Sequence, residues 1–278
     1  MSLTPFDQLT CPLDDSPLRR EGGQWCCALG HSFDIAREGY VNLLPVQHKR
    51  SLDPGDGKAM VAARRRFLNS GIYAPIAEAL ARLALSAGDG PLACLDAGCG
   101  EGYYLRCLAA LASGRPLQLL GLDISKWAVL AAARQDGRPA WVVGSNAKLP
   151  VPDGRLDRIL CLFGFPVYGE FARALKPGGL LLQVDAGDDH LRELREVIYP
   201  VLKAPRSATA GVPPGFVLQD SQSLRYATRL ADQAMIVDLL VMTPHLYKAT
   251  AEGRARAAAL PALDITVDVR LNVFCRQP

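Results

Sequence analysis

The sequence predicts an α/β protein with a doubly wound, mostly parallel sheet, an antiparallel C-terminal strand and a small module ahead of the sheet. Three observations carry this expectation. Between residues 93 and 186, short apolar runs alternate with stretches of helical length and spacing. A glycine-rich turn within LDAGCGEGYYL, residues 95–105, joins the first run to the first following helix. Residues 1–50 are rich in turn formers, short on helical periodicity, and hold Cys11, Cys26 and Cys27.

A chain of 278 residues exceeds the usual size of one domain, so a large domain with a small accessory unit is expected. Hydrophobic residues at 49% and charged residues at 21% exclude a disordered chain. Lysine and arginine exceed acids by only 31 to 28, which admits a nucleic-acid partner without requiring one. The run Arg64-Arg65-Arg66 suits either phosphate contact or a solvated helix face. The cysteines lack the dense, even pattern of a disulfide scaffold, MSLTPFDQLT has no signal-peptide character, and no run of eighteen apolar residues occurs. A cytoplasmic protein with reduced thiols and no membrane partner is expected.

Taken in order, residues 1–50 form the small module, which cannot hold itself together on apolar burial alone and calls for a metal or a neighbouring domain. Residues 51–70 provide a turn-rich link, SLDPGDGK, and most of a helix, AMVAARRRFLNSG, with Gly71 as its stop. The remaining unit, 71–278, begins with the helix APIAEALARLALSAG. ACLDAGC, LQLLGLDI, PAWVVGS, LDRILCLFG and GLLLQVDA then read as buried parallel strands. YLRCLAALAS, KWAVLAAARQ and VYGEFARAL lie between them with helical spacing, and Pro177-Gly178-Gly179 is expected to turn the chain into the fifth strand. Beyond the helix HLRELREVIYPVL, the stretch KAPRSATAGVPP reads as a mobile loop. FVLQDSQSLRYATRL and ITVDVRLNVFCRQ are strands flanking the helix DQAMIVDLLVMTP.

The glycine turn carries the sharpest chemistry. Gly98, Gly100 and Gly102 let the backbone turn tightly and come close to a ligand. Asp96, two residues before the first glycine, would oppose a bound pyrophosphate and so favours a ligand that has positive charge and no phosphate. S-adenosylmethionine, with its sulfonium and amino group, fits. Asp123 in GLDIS, at the carboxyl end of the next strand, stands where an acid binds two ribose hydroxyls.

These segments resemble a class I S-adenosylmethionine-dependent methyltransferase, a Rossmann-like fold. In that resemblance VVGSNAKLPVPDGRLDRIL places Asn146 and Ala147 beside the adenine. A narrower likeness runs through FDIAREGYVNLLPVQHKRSLDPGDGKAMVAARRRFLNSGIYAPI, residues 33–76, and on to the C-terminus. It resembles the bacterial 23S rRNA guanine-N1 methyltransferases, which modify a hairpin loop in domain II of the large-subunit RNA. The resemblance implies an N-terminal zinc module for RNA recognition, a homodimer, and a cofactor site containing Tyr73, the turn and its exit (Gly98, Gly100, Glu101, Gly102, Tyr104, Leu105), and His190. Other readings are a methyltransferase for a quinone-type or other metabolite, and a non-catalytic RNA-binding protein that senses the cofactor. Phe163, Phe165 and Pro166 suit either stacking of a flipped base or core packing. No catalytic base is assigned; Asp185 is a candidate by position, with helix capping by Asp185 or Asp188 as the alternative.

The metal expectation rests on CPLDDSPLRREGGQWCCALGH, residues 11–31. Asp14 stands where a second cysteine would pair with Cys11, and Cys26, Cys27 and His31 offer the other half of a tetrahedral site. The resemblance aligns Cys11, Cys27 and His31 with three zinc ligands and puts Asp14 at the fourth place, a cysteine in the family pattern. Carboxylate is a legitimate zinc ligand, though structural sites favour sulfur and nitrogen. Three outcomes stay open: zinc on these four, as the resemblance implies, zinc with Cys26 or water in fourth place, and a metal-free loop kept folded by packing.

Overall fold

The computed structural model describes residues 3–45, 51, 53–86, 88–202 and 211–278. The expected mobile loop over 203–214 lies largely outside the described residues. The chain opens with β1 (Leu3–Pro5), and an antiparallel three-stranded sheet follows, made of β2 (Arg19–Glu21), β3 (Gln24–Cys26) and β4 (Ser32–Asp34). Next come β5 (Tyr40–Asn42), α1 (Lys58–Asn69) and α2 (Ala74–Leu85). Gly71, at φ +84°, follows the end of α1 as expected, and Pro75 sits in the first turn of α2.

The alternation then proceeds through β6 (Leu92–Ala97), α3 (Tyr103–Leu111), β7 (Leu117–Asp123), α4 (Lys126–Gln135), β8 (Ala140–Val143), β9 (Leu156–Leu162), α5 (Tyr168–Ala174) and β10 (Leu175–Ala186). The last part holds α6 (Arg192–Ile198), β11 (Phe216–Leu230), α7 (Gln233–Met242), α8 (His245–Lys248), α9 (Ala251–Ala258) and β12 (Leu263–Arg276). The segment Pro177-Gly178-Gly179 is absorbed into β10 as an irregularity in its pairing with β9 between Leu175 and Leu180. The short α8 and α9 leave no mark in the sequence, because neither is long enough to show helical periodicity. Among the described residues no helix is long and apolar enough to cross a membrane.

The main sheet runs β11-β12-β10-β9-β6-β7-β8-β5, with β12 antiparallel to both neighbours and the strands from β10 to β5 parallel. Strand order reverses at β6 and β9, so a crevice opens at their carboxyl ends, where doubly wound sheets bind ligands. The N-terminal segment joins this sheet at both its ends. β1 pairs with Leu117–Leu119 of β7, directly before the stretch Leu120–Asp123 that pairs with β8, and β5 extends the edge beyond β8.

One sheet face carries α2, α3, α4, α6 and α7 through residues such as Leu80, Leu105, Val129, Leu194 and Leu239. On the other face, Phe6, Leu9, Cys11, Leu18 and Cys27 share a buried cluster with Leu149, Val151, Phe171 and Leu181. The metal-site segment and α5 therefore cover that face. Each fully buried side chain such as Phe6 or Leu9 contributes about 1.5–3 kcal/mol. That shared core is how so small a segment stays folded.

The arginine run is largely spoken for within the chain. Arg66 donates to both carboxylate oxygens of Asp238, at 2.8 and 2.6 Å, docking α1 on α7. Arg64 turns toward the crevice, and Arg65 is exposed.

Candidate active site and metal centre

Asp96, one residue before the end of the buried strand β6, is only 1% exposed, and neither of its carboxylate oxygens has a hydrogen-bond partner. Burial, with the nearby charge of Asp123, pushes its carboxyl up to about 8. Such a group is costly unless a cationic or donor ligand arrives. The turn that follows is open on one side: a Cβ built on Gly98, φ +96°, meets nothing within 4 Å. Gly102, φ +82°, differs, since a Cβ there would lie 2.6 Å from the buried Trp141 ring. Its missing side chain serves packing rather than ligand approach.

Asp123, at the carboxyl end of β7, ties the corner together. Its Oδ2 accepts from the Gly100 amide at 2.9 Å, and its Oδ1 accepts from the Ser125 amide at 2.8 Å. Ser125 Oγ in turn donates to the Asp56 carbonyl at 2.6 Å, so the 53–57 segment lies against this corner. Asn146 donates to the Phe165 carbonyl at 3.3 Å while its buried Oδ1 lacks a partner; Ala147 beside it is exposed. Glu101 points elsewhere, sealed by Arg106 and Gln135, and the Leu105 side chain is fully inside the core. Tyr104 packs edge-on against Tyr103 with ring centroids 5.2 Å apart.

Tyr73 and His190 meet at the crevice, although 117 residues separate them: the Tyr73 hydroxyl lies 3.1 Å from His190 Nε2. His190 Nδ1 accepts from the Asp268 amide at 3.2 Å, so the ring proton sits on Nε2 and is donated to the tyrosine oxygen. Burial lowers the His190 imidazole to about 4, which keeps it neutral. Phe163 stacks on His190 at 5.6 Å and stands at φ +51°, a left-handed conformation costly for a bulky residue. Phe165, two residues on, is 89% exposed. Core packing therefore explains neither its position nor its exposure. Asp185 caps no helix; its Oδ2 accepts from Gln183 Nε2 at 2.8 Å, and the N-cap of α6 is Leu191.

The second constellation lies in the N-terminal segment. Ligand atoms of Cys11, Asp14, Cys27 and His31 all fall within 4.8 Å of one another. Two tight turns present them, closed by Asp15 N to Cys11 O at 2.9 Å and Gly30 N to Cys27 O at 3.1 Å. The Ser16 hydroxyl and amide both donate to Asp14 Oδ1, at 2.5 and 2.8 Å, which holds the carboxyl far below its ordinary range and leaves Oδ2 facing the cluster. Cys26 is not part of this group; it lies in β3, paired with Arg19 and Ser32.

A zinc-ribbon family model described as "RlmA, N-terminal" matches residues 9–52, and a family model described as "Methyltransferase domain" matches residues 95–183. The 23S rRNA (guanine(748)-N(1))-methyltransferase of Streptomyces fradiae is 36% identical over 278 residues, covering 96% of each chain. The chain belongs to the 23S rRNA (guanine-N1)-methyltransferase family. YxjB of Bacillus subtilis (strain 168), named provisionally as a member of the same family, is 35% identical over 281 residues, 96% of this chain and 97% of its own. A Coxiella burnetii malonyl-[acyl-carrier protein] O-methyltransferase is 34% identical over 206 residues, 69% of this chain and 67% of its own. Among solved structures, a geranyl diphosphate methyltransferase in complex with S-adenosylmethionine aligns with 81% of this chain and 93% of its own at 16% identity and a TM-score of 0.46.

S-adenosylmethionine is the cofactor of this rRNA methyltransferase family's catalytic domain, and the residues at the crevice fit it. The orphaned Asp96 carboxyl and the open side of Gly98 are what a cationic, phosphate-free ligand requires. The ribbon's four donors likewise suit zinc: two sulfurs, one nitrogen and one oxygen, converging from two turns.

Proposed function

We propose that this chain methylates N1 of a guanine in a domain II hairpin of 23S rRNA. The observation that carries the proposal is the extent of the likeness: relatives named for this reaction match 96% of the chain, ribbon and catalytic sheet together. When bound, S-adenosylmethionine supplies an electrophilic methyl group for in-line displacement. The chain's own part is to hold the reactants close and aligned. Asp96 receives the cationic amino-acid end, Asp123 the ribose, and the Asn146–Ala147 corner the adenine. The exposed Phe165 ring, at the carboxyl end of β9, offers a stacking surface for a base taken out of the hairpin. Metal held by Cys11, Asp14, Cys27 and His31 would pin the ribbon turns that grip the RNA. A homodimer working in the cytoplasm belongs to the same proposal.

Incubation with labelled S-adenosylmethionine and unmodified large-subunit RNA tests it. Label in guanine, with a reverse-transcription stop at one hairpin position, is the expected result, because N1 methylation blocks pairing. Label only in a small metabolite or an acyl-carrier substrate supports the metabolite methyltransferase, and binding without transfer supports the sensor; either overturns the proposal.

A further inference from the structure

In the sequence Arg64 is one member of a charge run, yet it is the residue that leans over the glycine turn. A Cβ built on Gly100 would lie 3.5 Å from Arg64 Nη1 and 3.6 Å from its Cδ. The guanidinium is held in place from two other directions. Nη1 stands 2.5 Å from the Asp56 carboxylate in the linking segment, and Nη2 donates to the Met242 carbonyl at the end of α7 at 3.0 Å. Only 27% of the side chain is exposed. Its charge reaches both Asp123 and Tyr104, so it belongs electrostatically to the crevice rather than to the outer face of α1.

The charges around the turn have a pattern. Asp96 and Asp123 present carboxylates at the ends of β6 and β7, which suits the cationic and hydroxyl-bearing parts of a ligand. An α-amino acid head is a zwitterion, and its carboxylate would be crowded against two acidic side chains with no counter-charge unless a cation stood nearby. Arg106 does not serve, because it is turned onto Glu101 through both the side chain and the backbone carbonyl. Arg64 does: a guanidinium has five N–H donors in a planar fork suited to carboxylates, and those not directed to Asp56 and Met242 remain for a ligand.

We propose that Arg64 binds the carboxylate of the cofactor's methionine moiety, with Asp56 and Met242 as the contacts that fix its orientation. The proposal rests on S-adenosylmethionine occupying the glycine turn. It assigns the linking segment a purpose: Asp56 holds the arginine over the turn before the ligand arrives, so little side-chain freedom is lost on binding.

The test compares two ligands by calorimetry on the full chain. S-adenosylhomocysteine has the carboxylate, and S-adenosyl-3-thiopropylamine is the same molecule without it. Wild-type protein is expected to prefer the first by about ten- to a hundredfold, the range of a charge-assisted hydrogen bond. Arg64→Gln is expected to erase the preference while leaving affinity for the amine within about twofold, and Arg64→Lys to restore part of it. A preference that survives in Arg64→Gln overturns the proposal. So does equal loss of both ligands, which marks Arg64 as a scaffold residue only. A wild-type protein that binds both ligands alike overturns it without any variant. Binding of neither ligand by wild type refutes the cofactor placement beneath it.

Discussion

Replacing Asp96 by asparagine is expected to stabilise the cofactor-free protein while weakening its grip on the cofactor. The Asp96 carboxyl titrates near 8 in the folded chain against 3.8 ordinarily, because burial and the Asp123 charge oppose ionisation. A raised folded value means that the protonated group's contribution to stability is fully present below about pH 3.8 and is lost as pH rises through about 8. The loss is about 1.4 kcal/mol per pH unit across that window, an upper estimate of roughly 4 kcal/mol at neutral pH. Asparagine does not titrate. The variant's stability relative to wild type should therefore grow by about 2–3 kcal/mol between pH 6 and pH 9, equivalent to roughly 5–10 °C in melting temperature. Scanning calorimetry of both cofactor-free proteins at several pH values measures this. Melting curves that run parallel across the window would refute the orphaned, proton-holding carboxyl. Saturating S-adenosylhomocysteine should reverse the order, because mass action stabilises only the protein that binds it well.

Four further substitutions have outcomes set by the same structure. Gly98→Ala should cost the cofactor-free fold only about 1–2 kcal/mol of backbone strain yet abolish measurable cofactor binding. Gly102→Ala adds overpacking against Trp141 and should cost about 2–5 kcal/mol, so a smaller melting-temperature drop for Gly102→Ala than for Gly98→Ala contradicts the packing. Asp14→Cys should retain zinc longer under chelator challenge than wild type, read by metal analysis against time; equal retention would mean that Asp14 is not a ligand. Phe165→Ala should raise the RNA KM about five- to a hundredfold, the range of one lost base stack, and leave S-adenosylhomocysteine affinity unchanged; an unchanged RNA KM removes Phe165 from the site.

Local pattern made the catalytic sheet legible. Apolar runs of strand length, the glycine turn and the acids at Asp96 and Asp123 are all encoded within a few neighbouring residues. What escaped the sequence depends on partners far along the chain. β1 is three residues long, and its pairing of Leu3 with Leu117 spans more than a hundred positions, so no periodicity reveals it. The Tyr73–His190 hydrogen bond is equally remote, and a family likeness, not spacing, drew attention to both residues. Arg64 and Arg66 are near neighbours in one basic run, yet one leans over the glycine turn and the other clasps Asp238. Their different tasks are set by α7 and the 53–57 segment, which composition does not place. The cysteine pair is a local case: Cys26 ends β3, paired with Arg19 and Ser32, while Cys27 opens the turn closed by Gly30 and faces Cys11.

The ribbon's attachment bears on how RNA is presented to the crevice. Were it a bead on a flexible tether, docking of the hairpin would have to order that tether at an entropic cost. Instead β1 and β5 pin its two ends into the main sheet, and its buried side chains share a core with Leu149, Val151 and Phe171. A further tie runs through Lys148, which donates to the Pro12 carbonyl at 3.2 Å and pairs with Asp15 at 2.9 Å, beside the metal-site turn. Lys148 follows Asn146–Ala147 by one residue, so the loop that holds that pair is tied directly to the metal-site turn. Rotating the ribbon as a unit would break two strand pairings, expose that core and pull on the loop at once. The distance from the ribbon to the crevice is thus set by the sheet itself, so that, under the function proposed above, a hairpin held at the ribbon would meet the crevice at one fixed spacing.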